Sequence, residues 1–275
     1  MSVVARTLGV SRSHLYDRTR GEQGSRGPYR KACDADLLPL VRKLVDERPT
    51  YGYRRITALV RRELAKQNKP LPNHKRIYRL MKQNNLLLQR STGRRGGRVH
   101  DGKVVVMQSN LRWCSDAFEF GCWNGEVIRV GFVIDAFDRE ILANAAVANA
   151  GISGSEVRDM MLAAVEARFQ DTRAPRRIEF LSDNGSPYTA KETRDFAGAL
   201  NLEPCFTPVA SPESNGVAEA FVKTMKRDYV CIAALKDAET ALKLIAGWFE
   251  DYNTNHPHSG LKWKSPREFR ASQNP

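Results

Sequence analysis

Three carboxylates in this chain stand where acids could do chemistry. Asp116 falls inside the β-type segment "NLRWCSDAFEF", on the side of Cys114 and Phe118, where an ionised carboxylate is costly unless it is paired or bound to metal. Asp183 follows the apolar segment "IEFLS" and leads into Asn184 and Gly185, the C-terminal end of a strand, where α/β folds commonly place their sites. Glu219 is the third. If residues 217–229 are helical, Val217, Ala218, Phe221, Val222 and Met225 form one apolar stripe, and Glu219, Lys223 and Lys226 share a face away from it. Each acid also has a plainer reading. Asp116 suits an edge strand, Asp183 a turn, and Glu219 with Lys223 a solvated i,i+4 pair worth ~0.2–0.5 kcal/mol. On helical spacing alone the solvated pair is the better account of Glu219.

Gathered at one point, three carboxylates would repel one another and raise one another's pKa. Divalent cations relieve that repulsion, and hard oxygen ligands suit Mg²⁺ or Mn²⁺. Two such ions per site would hold the attacking and leaving oxygens of a phosphoryl displacement, a reaction that asks the protein for little beyond positioning and charge.

The elements that must position these acids begin after residue 104. Three short β-type segments, "NLRWCSDAFEF", "EVIRVGFVIDAF" and "REILANAAVA", are joined by turns, so Asp135 and Asp138 read as turn residues. A Ser-capped helix over "SGSEVRDMMLAAVEARFQ" comes next, followed by the strand "RRIEFLSDNG", the helix "TAKETRDFAGALN", the short strand "LEPCFTP" and the Glu219 helix. The order β-β-β-α-β-α-β-α implies an α/β fold, a mixed sheet flanked by helices. "VGFVI" and "IEFL" read as the near-continuous apolar runs of central strands.

Upstream the texture differs. Of the chain's net charge of +13, residues 1–103 hold 25 Lys and Arg against 8 Asp and Glu, a net of +17, while the remaining 172 residues are mildly acidic. Such an asymmetry points to a polyanion-binding portion joined to one with another task. Residues 1–20 have the outline of a partial helix-turn-helix, and 21–32 form a Gly-, Ser- and Arg-rich linker. Residues 33–90 carry three helical patterns expected to form a small all-α basic DNA-binding domain, with Arg54, Arg55, Arg61, Arg62, Lys75, Arg76, Arg79 and Lys82 on outer faces suited to phosphates. Residues 91–104, rich in Gly and Arg, read as a second linker, and 105–275 as the sheet domain with a helical tail.

The bulk composition excludes other classes. No apolar run approaches the ~18 residues that would cross a bilayer, and the N-terminus lacks the apolar core of a secretory signal, so no membrane partner and a cytoplasmic location are expected. The five cysteines are scattered with no CxxC pair, which indicates neither zinc finger nor disulfide framework. His256 and His258 flank Pro257 at a spacing that fits metal ligation on a helix poorly, and read as part of a structural or DNA-contacting tail.

"WCSD", "LSDNG" and "SPESNGVAEAFVKTMKRDY" resemble, in that order, the three acidic motifs of the DDE transposase and retroviral integrase superfamily. Thirty-five residues separate Asp183 from Glu219, the spacing known for the integrase-like branch; Glu213 lies in the loop at the wrong spacing. Together with "PTYGYRRI", "KRIYRLMKQNNLLL" and "YNTNHPHSGLKWKSPREF", the chain is similar over nearly all of residues 33–272 to OrfB-type transposases of bacterial insertion sequences of the IS-three family, IS-two-like subgroup. Trp263 stands where relatives commonly show tyrosine.

The resemblance implies an RNase H-like mixed five-stranded sheet in which Asp116, Asp183 and Glu219 are catalytic and bind Mg²⁺, with Mn²⁺ substituting and two ions per site. It implies that Lys226 grips the element's end and that Asn184, Gly185, Asn215 and Gly216 border the site, where small or polar residues allow close approach to phosphate. Lys223 joins Lys226 as an expected DNA contact. The implied reaction frees a 3′-hydroxyl at the element's end, which attacks another phosphodiester and leads to a circular intermediate. Implied partners are transposon-end inverted repeats and target DNA, further copies of the chain on DNA, and an upstream-frame OrfA-type protein, with the whole at the bacterial nucleoid. Two alternatives stay open: a non-catalytic DNA-binding accessory protein of the element that needs an upstream-frame fusion for activity, and a nuclease of the same fold acting on RNA–DNA hybrids, against which the basic N-terminal region speaks.

Overall fold

A computed structural model describes residues 2–19, 34–89, 106–207 and 215–273. The linkers expected at 21–32 and 91–104, the loop residue Glu213 and Cys33 lie outside them. At the N-terminus α1 (Ser2–Thr7) and α2 (Arg12–Thr19) meet through a tight turn in which Gly9 takes a left-handed φ of 62° that a side chain would disfavour.

The basic helical unit comprises α3 (Leu38–Glu47), α4 (Tyr53–Lys66) and α5 (His74–Gln83). The apolar positions read from the sequence close on one another: Val41, Leu44, Ile56, Val60, Ile77, Leu80 and Met81 form its core. Asn73 caps α5 by accepting from the Arg76 N–H at 2.8 Å, which satisfies one orphan donor of the first turn. The first helix begins at Leu38, four residues inside the sequence pattern. Pro39 lacks an N–H and fits only a first turn, and so sets that start.

The second unit is a five-stranded sheet in the order β3-β2-β1-β4-β5. Its strands are β1 (Arg112–Gly121), β2 (Val127–Asp135), β3 (Ile141–Ala148), β4 (Ile178–Ser182) and β5 (Leu202–Phe206). β1 runs antiparallel to β2, and β2 to β3, whereas β1, β4 and β5 are mutually parallel. This order and direction are the RNase H-like arrangement. Helices α6 (Gly154–Phe169), α7 (Ser186–Thr189) and α8 (Lys191–Ala199) cover one face, and α9 (Gly216–Asp228) and α10 (Ala238–Asn255) cover the other. Gly131 on β2 lets α6 approach closely, since a Cβ there would lie 2.9 Å from Met160 Cε. A short α11 (Pro266–Ala271) ends the described chain, opened by a Ser265–Glu268 capping box.

Alternation along the strands decides which residues meet which layer. Trp113, Ile178 and Phe180 join the α6 and α8 core, whereas Cys114, Phe118 and Leu181 join the core beneath α9 and α10. Asp116 has the parity of Cys114 and Phe118, and Asp183 that of Leu181, so both fall on the α9 side of the sheet. The two units are joined by polar contacts. Arg48 grips Asp251 with two bonds of 2.6 and 2.5 Å, Arg55 reaches Asp228 at 2.8 Å, and the buried Tyr51 hydroxyl meets His256 Nδ1 at 2.8 Å. Among the described residues no helix is long and apolar enough to cross a membrane.

Candidate active site

The parallel register of β1 and β4 pairs Trp113 with Phe180 and Cys114 with Leu181. Two residues beyond that last pair lie Asp116, still within β1, and Asp183, just past the end of β4, so both aspartates follow the same paired stretch of two neighbouring parallel strands. The pairing of β1 with β4 stops at Cys114 and Leu181, β4 ends at Ser182 while β1 runs on against β2, and Asp183 is exposed and Asp116 half-buried. α9 crosses the same face, packing Ala218, Phe221 and Met225 against β1 and β2. Glu219, in its first turn, is half-buried above them.

The electrostatics couple the three. Burial first, then the charges of Asp183 and Glu219, push the Asp116 carboxyl up to about 6, against one bond from the Ala117 N–H that favours ionisation. Asp183 Oδ1 accepts from the Gly185 N–H at 3.0 Å, which fixes the turn after β4. Below both aspartates the buried Tyr188 hydroxyl shares a 2.8 Å bond with Ser115 Oγ. Burial raises its pKa, the Ser115 bond works the other way, and the charges of Asp183 and Asp116 raise it further, so it stays neutral. Sequence reading passed over Ser115 and Tyr188; their only signal is a hydroxyl at a strand position that alternation buries.

Among the described residues neither Asp116 nor Asp183 has a Lys or Arg partner, which leaves oxygen donors uncompensated as a divalent cation would require. Glu219 differs: its carboxylate pairs with Lys223 Nζ at 3.1 Å, the solvated pair that spacing suggested. Among the described residues no three acids, His or Cys stand close enough together to hold a metal ion. The donor chemistry of Asp116 and Asp183, carboxylate oxygens without a cationic partner, fits a hard cation. Around the site, Asn184 Nδ2 donates to Thr207 O at 2.9 Å and ties the ends of β4 and β5 together. Asn215 is buried with its Oδ1 unpartnered among the described residues, Gly216 is exposed, and Lys223 and Lys226 project into solvent.

The basic array of the helical unit divides. Arg54, Arg61, Lys75 and Lys82 are exposed, although Arg54 lies over the Tyr53 ring and Arg61 Nε bonds Pro72 O at 2.8 Å. Four others do not form an outward phosphate-facing surface as the sequence suggested. Arg55 and Arg62 face the sheet domain, where Arg62 donates to Asn255 O at 2.6 Å and pairs with Glu268 at 2.5 Å. Arg76 and Arg79 hold Asp34 at 2.7 and 2.6 Å. Burial alone would raise that carboxyl; the two arginines outweigh it and hold it low. His256 is buried and His258 half-buried, and desolvation lowers the pKa of both and keeps them neutral, so they serve packing and docking within the tail.

Comparison with known proteins agrees with this architecture. An integrase core domain family matches residues 107–212, a second integrase core domain family residues 200–266, and an HTH-like domain family residues 32–95. The chain is 49% identical over 273 residues to "Transposase InsD for insertion element IS2D" of Escherichia coli, covering 98% of this chain and 90% of that one. It is 72% identical over 184 residues to an uncharacterized protein of insertion element IS136 from Agrobacterium fabrum, covering 67% of this chain and 94% of the relative. Among solved structures it is similar to the Mos1 transposase catalytic domain bound to raltegravir and Mg, at 16% identity and TM-score 0.41 over 51% of this chain and 71% of that one. It is also similar to a chain of the simian T-cell lymphotropic virus intasome, at 16% identity and TM-score 0.47 over 83% of this chain and 73% of that one.

Sheet order, layer pattern and the integrase core match define the class: an RNase H-like core of the DDE transposase and integrase superfamily, preceded by an HTH-like DNA-binding domain. Within it, the chain belongs to the insertion-element DNA transposases.

Proposed function

We propose that Asp116, Asp183 and Glu219 are the acids with which this transposase cuts the 3′ ends of its element and joins them to a second phosphodiester. The reading rests on one arrangement: an aspartate on β1 and another just past the end of the parallel strand β4, each two residues beyond the last paired residues, with a glutamate on the helix that covers the same face. In the first reaction water replaces the sugar oxygen at phosphorus and leaves a 3′-hydroxyl. In the second that hydroxyl replaces another sugar oxygen, one P–O bond forming as one breaks, so no energy source and no covalent enzyme intermediate are needed. Mg²⁺ or Mn²⁺ ions held by the three acids would supply Lewis-acid stabilisation of the charge on the transferred phosphoryl group.

The protein's own residues do the rest. The pairing of β1 with β4 brings the segments carrying Asp116 and Asp183 side by side, and the Gly185 N–H holds the Asp183 turn; Ser115 and Tyr188 make the floor beneath them rigid and uncharged. Lys223 and Lys226, on the exposed side of α9, neutralise phosphates of the bound end, with Asn184, Asn215 and Gly216 at the rim. Release of Lys223 from Glu219 to a phosphate would free the glutamate at the moment DNA arrives. Arg54, Arg61 and Lys75 extend the phosphate-binding surface to the helical unit, and pairing of two ends calls for more than one copy of the chain.

Glu219→Gln keeps the shape and removes the charge. With Mg²⁺ and DNA bearing the element's ends, 3′-end cleavage and strand transfer should vanish while end binding survives; retained cleavage would sink the assignment. The Glu219–Lys223 pair also sustains a second reading, in which this polypeptide is an accessory protein and only its fusion to an upstream-frame segment cuts DNA. One cleavage assay run on both forms separates them.

A further inference from the structure

Between the helical unit and the tail of the sheet domain lies a cleft of about 710 Å³. One wall is a single stripe of α4: Arg54, Thr57, Ala58, Arg61, Arg62 and Ala65, spaced as neighbours on one helical face. The opposite wall comes from the sheet domain's last segment, with Lys262, Trp263, Lys264 and Ala271. Five Lys and Arg line the space against one carboxylate, Glu268, which is already paired with Arg62. The alanines keep the floor shallow and apolar, and Trp263 is only half-buried.

The backbone that presents this tryptophan is unusual. Lys262 and Trp263 both adopt left-handed conformations, with φ of 56° and 66°, which side chains of this size disfavour. His258 imposes them: its carbonyl accepts from the Trp263 N–H at 2.8 Å and its N–H donates to Lys264 O at 3.1 Å. An indole held in a strained position at the mouth of a cationic cleft is placed for contact.

We propose that this cleft binds a single-stranded stretch of DNA, one base lying against Trp263 and its flanking phosphates meeting Arg54, Arg61, Lys262 and Lys264. An apolar floor with an aromatic wall suits the face of an unpaired base, and cations on both rims suit its backbone. The volume is that of a small-ligand site, room for about one or two nucleotides and not for a duplex. Duplex bases are stacked on one another and offer no free face. The proposal extends the transposase reading by placing an unpaired stretch of the DNA against the dock between the two units, away from the three acids.

Fluorescence anisotropy on the full chain, without divalent metal, tests it with a labelled single-stranded oligonucleotide and a duplex of the same sequence. Because no cleavage is involved, its failure is distinct from failure of the acid assignment. Trp263→Ala should weaken single-strand binding at least about fivefold and duplex binding less than twofold, and Trp263→Phe should restore single-strand affinity. Replacing Lys262 and Lys264 with Ala should flatten the slope of log Kd against log salt for the single strand by about 1.4. The paired lysines Lys191 and Lys243, replaced with Ala as a control, should leave it unchanged. Equal losses on both DNAs, or none, would overturn the proposal. If Trp263→Ala does not fold, photocrosslinking of an iodouracil strand to the unaltered protein decides: adducts within 54–65 or 262–272 support the cleft, and adducts elsewhere, or binding only by a protein partner, refute it.

Discussion

Of the three acids, Asp116 is the one whose carboxyl is clearly shifted. Its carboxyl rises to about 6 from an ordinary value near 3.8, chiefly through burial. A raised acid keeps its proton longer when folded than when unfolded, so its ionisation lowers stability between about pH 4 and about pH 6, and the loss persists above that range. In chelator at pH 7.5, Asp116→Asn should therefore be more stable than the parent by about 1–2 kcal/mol. Thermal unfolding should show that difference gone by pH 4 and, under the proposed role of Asp116 in holding the metal, reversed on adding Mg²⁺. Equal stability at pH 7.5 would mean that the carboxylate carries no penalty. Asp116 was legible in the sequence because strand alternation sets its face. Spacing alone did not single out Glu219, which the family resemblance named, because its spacing to Lys223 is also that of a surface pair, and the structure retains that pair.

At the scale of elements, α6 ends in the fully buried Arg168, which fastens the β2–β3 turn. Its guanidinium reaches Asp138 at 3.0 Å, Glu140 at 3.3 Å and Asp135 at 3.6 Å, and Arg267 and Arg270 of α11 close on Glu140 from the other side. Arg168→Ala would leave buried acids uncompensated, a loss of about 3–5 kcal/mol. Burial and Asp138 already push the Asp135 carboxyl up to about 6, so lowering the pH to 5 lets it take a proton and should recover part of that loss in urea denaturation. A deficit independent of pH would argue for a packing defect instead. Asp138 was readable as a turn residue, whereas Asp135, expected in the same turn, is the last residue of β2 and pairs with Trp113. Their partner was not readable, because it lies some thirty residues on in a helix whose periodicity marks a buried position without marking charge. The same blindness affected Arg55 and Arg62: an arginine on an exposed stripe and one that meets a distant carboxylate have the same helical spacing.

Across the whole molecule, the two units are joined by charged and aromatic groups more than by apolar surface. Asp251 stays ionised because its bonds to Arg48, with help from Tyr229, outweigh the cost of its burial. Arg48→Ala removes both bonds from a half-buried pair and should weaken the dock by about 1–2 kcal/mol. Hydrogen exchange would then quicken in α3 and α4 and on the facing turns of α10, with the sheet unchanged; unaltered exchange in α4 would show that the other contacts suffice. A mixed sheet preceded by a helical region was legible in the sequence, because charge and hydrophobic periodicity both change along the chain. The dock was hidden, since its bonds span up to about two hundred residues of chain.

One helix takes part in both halves of this arrangement. α9 holds Glu219 in its first turn and ends at Asp228, whose carboxylate is clasped by Arg55 of the helical unit and by Arg227 beside it. Nine residues of α-helix make a stiff rod about 14 Å long, so its ends do not move independently. If DNA shifts the helical unit, either the Arg55–Asp228 clasp opens or the glutamate travels with it. The chain is thus geared: the domain that meets the DNA has one hand on the shaft that carries the third acid.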